Sequence, residues 1–237
     1  MKKVFAYIGS RNIDSKTLGI TDKISRYFKE RHPLEVVFDI QTPNNSSLAH
    51  CRGCTFCFHN GKCPIDKEEI DNSHEIKKKL ESADFIILGS PVYFHNVTSD
   101  MKCLMDRLTY WCHLFRLAGK PGIIIVNADS NGVDVVTRML QNFCNHLGII
   151  IVDRVKMNCN ISVDNDFIEQ ISNKIWGVLE GTINISTNEE MEKIYTGLKW
   201  IYSNSLDTSI EKKYWLEHKL FDYERLEDYI NDINLEN

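Results

Sequence analysis

Four cysteines, Cys51, Cys54, Cys57 and Cys63, form a C-x2-C-x2-C-x5-C run within thirteen residues. Such short spacings let one loop wrap a single inorganic centre, and four thiolates suit an iron–sulfur cluster or zinc. Structural zinc sites more often use two C-x2-C pairs divided by a longer loop, so the spacing favours the cluster. Disulfides or free thiols are the remaining alternative. His50 and His59 flank the run, as alternative ligands or as ordinary loop residues. The other cysteines, Cys103, Cys112, Cys144 and Cys159, lack ligand spacing. Cys112 and Cys144 fit apolar helix faces and read as buried thiols.

Two further loops carry groups that can bind a ligand. Residues 9–17 read Gly-Ser-Arg-Asn-Ile-Asp-Ser-Lys-Thr and follow a short apolar run. The stretch has neither G-x-G-x-x-G nor a P-loop GK[ST]. It does bring Ser10, Ser15, Thr17, Arg11 and Lys16 to the start of a helix, where hydroxyls, backbone N–H groups and the helix dipole make a monophosphate site. The alternative is a polar turn in which Ser15 or Asp14 caps the helix. Residues 89–97 read Gly-Ser-Pro-Val-Tyr-Phe-His-Asn-Val. Pro91 stiffens that turn, and Tyr93 and Phe94 either face a planar heterocycle or pack beneath the loop. His95 is a candidate proton donor or a solvent-facing histidine. No G-x-S-x-G, H-E-x-x-H or paired-carboxylate arrangement points to hydrolysis.

The elements that must position these loops alternate. Strands are expected at 4–8, 34–40, 85–88, 123–126 and 149–152. Helical periodicity spans Ile20, Ile24, Tyr27 and Phe28, then Ile76, Leu80 and Ala83. It continues over 99–117 with Met101, Leu104, Met105, Leu108, Trp111, Cys112 and Phe115 inward, then over 133–147 and 165–180. Several strands are apolar throughout, as burial on both faces requires. Strand–helix alternation with such strands predicts an α/β fold, a doubly wound parallel sheet of five strands. Ligands in such folds sit beyond the carboxyl ends of the strands, where the loops after the first, third and fourth strands lie. The cysteine segment, about 48–66, follows the second strand. Residues 1–181 form this α/β unit. Residues 182–237 form a C-terminal helical extension, with Met191, Ile194, Tyr195, Leu198, Ile201 and Tyr202 on one face. The extension covers the core or an oligomer interface, or serves as a substrate lid or partner module.

The chain has 237 residues, a net charge of −5 and 43% hydrophobic residues. That acidic balance gives no nucleic-acid footprint. No apolar run reaches the ~20 residues of a membrane span. The apolar run after Lys3 stops at Gly9, too short for a signal segment, so a cytoplasmic setting is expected. There, eight cysteines favour a metal over a disulfide framework.

The quoted stretches together resemble the flavodoxin-like NAD(P)H-dependent FMN reductases, and within them the iron–sulfur flavoproteins. The resemblance rests on Gly9-Ser10 to Ser15-x-Thr17, the cysteine run, and Ser90-Pro91-Val92-Tyr93-Phe94-x-Asn96-Val97. Lys102 with Asp106-Arg107 adds to it. It covers about residues 1–180 and implies FMN, with its phosphate on Ser10, Ser15 and Thr17. The family loop usually has Pro, Arg and Asn where this chain has Arg11, Asn12 and Lys16, so a cation is kept but moved. The resemblance also implies that Pro91, Val92, Tyr93, Phe94 and Asn96 run along the isoalloxazine. The loop from Asn127 through Ala128 to Gly132 would close over the pyrimidine side. Cys51, Cys54, Cys57 and Cys63 would then hold a [4Fe–4S] cluster near the flavin. Implied further are NAD(P)H as electron donor, a small-molecule acceptor or redox protein, and a homodimer or homotetramer. The alternative function is an electron carrier between ferredoxin-like partners with no organic substrate of its own.

Overall fold

The computed structural model describes residues 1–67, 71–158, 163–205 and 209–235; Cys159 lies outside them. The chain opens with β1 (Lys2–Ile8), α1 (Lys16–Arg31) and β2 (Val36–Gln41). The cysteine segment then carries α2 (Phe56–Asn60) and a 3-10 turn (Pro64–Lys67). The α/β rhythm resumes with α3 (Ser73–Ser82), β3 (Phe85–Pro91), α4 (Ser99–Leu108), β4 (Pro121–Asn127), α5 (Val133–Leu147), β5 (Ile150–Met157) and α6 (Asn165–Leu179). The extension contributes α7 (Glu189–Asn204), α8 (Ile210–Glu217) and α9 (Leu226–Leu235).

The five strands form one all-parallel sheet in the order β2-β1-β3-β4-β5. This is the flavodoxin-like doubly wound order, with its switch point where β1 is flanked by β2 and β3. Burial explains which strands were legible. Val4–Ile8, Phe85–Leu88 and Ile123–Val126 are buried on both faces. The edge strand β5 mixes Asp153, Arg154 and Lys156 with Val155 and Met157, so it runs five residues past the apolar run that announces it. β2 begins at Val36 rather than Leu34, whose side chain is 87% exposed in the preceding turn.

Each face of the sheet has its own core. Ile20, Ile24 and Phe28 of α1 and Ile168, Ile171 and Ile175 of α6 cover one face. Ile76, Leu80, Met101, Leu104, Val136, Leu140 and Phe143 from α3, α4 and α5 cover the other. Fully burying each such side chain contributes about 1.5–3 kcal/mol.

The helix expected over 99–117 is broken. α4 ends at Leu108 and passes into a 3-10 turn, Thr109–His113. Phe115, at φ +46°, leaves the α4 face to enter a third core. There it packs edge-on against Tyr195 and Trp215, which stack on each other with centroids 5.4 Å apart. The Trp215 indole N–H donates to the His113 carbonyl at 2.9 Å, and the Tyr195 hydroxyl donates to the Leu220 carbonyl at 2.5 Å. A continuous helix would deny Phe115 and the His113 carbonyl to the extension. α7, α8 and α9 therefore pack on the α/β unit through Phe115 and Ile150. Of the face proposed for α7, Met191, Tyr195 and Tyr202 are buried, whereas Ile201 is 50% exposed. Among the described residues no helix is long and apolar enough to cross a membrane.

Candidate functional site

The loops after β1, β3 and β4 come together at the carboxyl edge of the sheet. The Gly9 N–H donates to the Gly89 carbonyl at 2.8 Å, and the Thr98 hydroxyl donates to the Gly9 carbonyl at 2.5 Å. A Cβ on Gly9 would lie 2.7 Å from the Met101 Cβ, so only glycine lets the first loop approach α4 this closely. Ser10 is buried, and its hydroxyl accepts the Asn12 N–H at 3.3 Å. Ser15 caps α1, accepting the Leu18 N–H at 3.2 Å. The capping alternative is thus real for Ser15, while Asp14 is exposed. No acidic residue stands in the first turn of α1, which leaves its positive end open to an anion. Thr17 is fully buried, and its hydroxyl has no partner among the described residues.

The two cations of this loop are already engaged. Arg11 pairs with Asp100 at 2.8 Å, and the bond to that carboxylate holds its guanidinium more firmly protonated than usual. Lys16 reaches Asp129 in the third loop at 3.0 Å. Both side chains are largely exposed, and such surface pairs contribute little to stability.

The second loop is a tight hairpin. Tyr93 and Asn96 exchange backbone hydrogen bonds of 2.9 and 3.0 Å around Phe94 and His95, at φ +48° and +57°. Two positive φ values in succession match a type I′ turn, normally filled by Asn, Asp or Gly. Holding a Phe and a His there costs about 1–2 kcal/mol each. Neither ring packs in the core: Phe94 is 100% and Tyr93 58% exposed. The Val92 N–H donates to the Asn127 carbonyl at 2.8 Å, joining this loop to the third. The Ala128 N–H donates to the Met157 carbonyl at 3.1 Å. The Asn127 side-chain carbonyl, like the Thr17 hydroxyl, is buried and has no partner among the described residues.

Gly132, at φ +88°, closes the third loop, where a Cβ would lie 2.8 Å from Val92 Cγ1 and 3.3 Å from His95 Nδ1. Gly132→Ala is therefore expected to lower the unfolding free energy by about 1–2 kcal/mol from the left-handed backbone alone. Urea denaturation of the metal- and flavin-free chain checks this.

All four clustered cysteines line one cavity of about 320 Å³, together with Ile65 and Thr109. Gly53, Thr55 and Gly61 turn the chain around it at φ +63°, +54° and +66°. Cys51 and Cys54 are exposed, while Cys57 and Cys63 are half-buried. Burial pushes the Cys57 thiol up, and the nearby Cys63 and Cys51 add to the effect. Among the described residues no group of three or more His, Cys, Asp or Glu side chains is arranged to hold a metal ion. His50 and His59 are exposed and do not line the cavity. Elsewhere, Cys144 is fully buried, and burial raises Cys112 to about 12 and Cys103 to about 11, so none is a ready thiolate. Lys102 and Asp106 pair on α4 as their spacing suggests.

Beneath the cysteine cavity lies a charge network that sequence reasoning did not find. The Arg107 guanidinium is fully buried between Asp71, at 2.5 Å, and Asp66, at 2.6 Å. Lys77 also reaches Asp66 at 2.6 Å. Burial alone would raise both carboxyls, but the hydrogen bonds from Lys77, Ser73 and Arg107 at Asp66, and from Arg107, Ala49 and Ser73 at Asp71, hold both below the ordinary range. The contribution of such depressed groups is present above the unfolded carboxyl value, about 3.9, and is lost as pH falls through the lower folded value. Asp71→Asn is expected to cost about 3–5 kcal/mol near neutrality, because it leaves a buried guanidinium short of its counter-charge. The gap from the parent chain should shrink only below about pH 4. Thermal melts of both chains across pH 3–7 check the sign.

A model of the family described as NADPH-dependent FMN reductase matches residues 2–162, well over half of the chain. An iron–sulfur flavoprotein of Methanocaldococcus jannaschii is 44% identical over 101 residues, covering 42% of this chain and 50% of that protein. One of Archaeoglobus fulgidus is 33% identical over 116 residues, covering 48% and 51%. The chain thus spans about half the length of these curated relatives. Among solved structures, RosB, crystallised with 8-demethyl-8-formylriboflavin-5'-phosphate, superimposes with a TM-score of 0.58 at 12% identity, over 88% of this chain and 89% of that one. That likeness speaks to the fold alone. The family match over residues 2–162, on a sheet of this order with the three loops converging at its carboxyl edge, makes this chain a member of the NADPH-dependent FMN reductase family.

Proposed function

We propose that this chain is an FMN-dependent oxidoreductase that takes electrons from NAD(P)H, with a [4Fe–4S] cluster on Cys51, Cys54, Cys57 and Cys63 relaying them to an acceptor. The observation that carries the flavin is that, of the four buried side-chain polar atoms without a partner among the described residues, two, the Thr17 hydroxyl and the Asn127 side-chain carbonyl, lie on the first and third loops. A buried polar atom without a partner costs about 1–3 kcal/mol. Two such atoms on the first and third loops fit a ligand with a phosphate at one end and ring N–H donors at the other. The donor set at the second cavity, four thiols lining about 320 Å³, is of the type that holds an iron–sulfur cluster.

When bound, the flavin supplies hydride acceptance from NAD(P)H and the cluster supplies one-electron transfer. The chain does the rest. Ser10, Thr17 and the α1 N-terminus hold the phosphate, with Ser15 capping the helix that presents it. Asn12 orders that loop through Asp14, and Arg11 and Lys16 tie it to Asp100 and Asp129. Pro91, Val92 and the Tyr93–Asn96 hairpin give the ring a stiff edge, and Ala128 and Gly132 close the opposite side. Tyr93 and Phe94, exposed on a strained turn, are placed to cover a planar ligand rather than to fill the core.

The test is a visible spectrum with iron and acid-labile sulfide analysis on anaerobically purified protein. Flavin bands with iron and sulfide are expected, together with oxidation of NADH or NADPH on mixing. Flavin without iron would leave an FMN reductase whose cysteines act otherwise. Reduction by ferredoxin or dithionite but never by NAD(P)H would favour the electron carrier.

A further inference from the structure

We propose that Arg107 is the positioning residue of the cysteine centre: its guanidinium closes the base of the cysteine loop and, through α4, fixes that loop relative to the phosphate loop. This rests on the cysteines being the metal ligands of the function proposed above. The loop leaves the body of the protein at Ala49 and returns at Asp66. One side chain holds both ends. Arg107 Nη1 donates to the Ala49 carbonyl at 2.8 Å and to Asp71 at 2.5 Å, while Nη2 donates to Asp66 at 2.6 Å and lies 2.6 Å from the Ser73 hydroxyl. Asp71 accepts the Ala49 N–H at 2.7 Å, and the Ser47 and Asn72 backbones are joined at 2.8 Å, so the two strands of the neck are laced together around the guanidinium. Arg107 and Lys77 balance Asp66 and Asp71, leaving the neck neutral.

The same helix grips the phosphate loop at its other end. Thr98, the cap of α4, donates to the Gly9 carbonyl, and Asp100 in its first turn pairs with Arg11. α4 has ten residues, so it is a strut about 15 Å long with the phosphate loop at its start and the cysteine neck at its end. A lysine would keep the charge but not the planar fork that reaches the carbonyl of one strand and the carboxylates of the other.

The experiment compares the full-length parent chain with Arg107→Lys and Asp66→Asn. Metal-free protein is alkylated with iodoacetamide and the rate at each cysteine is read by mass spectrometry. Affinity for iron is then measured by reconstitution with ferrous iron and sulfide, and flavin content is recorded. In Arg107→Lys, Cys57 and Cys63 should alkylate faster while buried Cys144 stays protected. Iron affinity should fall about 10–100-fold, the usual effect of losing a residue that orients ligands, with FMN retained. General destabilisation would instead expose Cys144 as well. Should Arg107→Lys not fold, Asp66→Asn decides, because Asp71 still neutralises Arg107 while the returning strand is released from it, together with Lys77 and Ser73, which also bond Asp66. Parent-like alkylation and iron affinity in the folded variant overturns the proposal. A parent chain that takes up no iron and sulfide overturns the cluster instead, and the alkylation contrast still reads the neck.

Discussion

Cys54→Ser is expected to strip the protein of iron, acid-labile sulfide and the broad visible absorption of a cluster while leaving its flavin in place. The two halves of that result have separate causes. Serine has no thiolate to offer near neutral pH, so one of four ligands is lost outright. Losing a residue that merely orients a ligand already costs about 10–100-fold in metal affinity, and losing the ligand itself should cost more. The thiol is exposed and belongs to no hydrophobic core, so the substitution should change the stability of the metal-free chain by no more than about 0.5 kcal/mol. The three loops at the carboxyl edge are joined to one another by backbone hydrogen bonds at Gly9 and Val92 that do not involve Cys54. Iron and sulfide assay, flavin spectrum and melting temperature on one preparation read all three. Loss of flavin together with iron would mean that the two sites are not separate.

What could be read from the sequence was what neighbours along the chain decide. α5 falls on 133–147 as its periodicity says, because Gly132 and Gly148, both at positive φ, bracket it. The cysteine spacing is likewise local, and its four thiols line one cavity. What escaped was set by tertiary partners. Phe115 has helical spacing from Leu108 and Trp111, yet it turns away because Tyr195 and Trp215, some 80 to 100 residues later, offer it a better-packed ring environment. The Phe94–His95 turn carries none of the residues that announce positive φ. In the sequence Arg107 belongs only to the Lys102 and Asp106-Arg107 stretch that carries part of the resemblance. Its role depends on Asp66 and Asp71, 41 and 36 positions away, and on a neck that exists only once the cysteine loop is closed. The orphaned hydroxyl of Thr17 is also invisible in the sequence, since nothing there says which of three nearby hydroxyls folding will leave without a partner.

That hydroxyl gives the second large effect, and its value lies in opposite signs. Thr17→Val keeps shape and β-branching, so the methyl that packs against Gly89 is retained. It removes a buried polar atom with no partner among the described residues. Replacing such an atom by an apolar one of the same shape relieves part of a desolvation penalty of about 1–3 kcal/mol, so the flavin-free variant should unfold at higher urea than the parent. If the hydroxyl is there to donate to the FMN phosphate, the same change deletes a hydrogen bond to a charged group, worth about 1.5–3 kcal/mol, or roughly 10–100-fold in flavin affinity. Ser15→Ala provides the contrast. Its hydroxyl already accepts the Leu18 N–H, so its loss should destabilise the flavin-free chain by about 1 kcal/mol through the missing cap. Stability and affinity would then fall together in Ser15→Ala and move apart in Thr17→Val. Urea melts of the flavin-free chains and titration with FMN, followed by quenching of its fluorescence, measure both. If Thr17→Val binds FMN as tightly as the parent, its hydroxyl is not a phosphate ligand, and the site would have to be held by Ser10 and the backbone of the first loop.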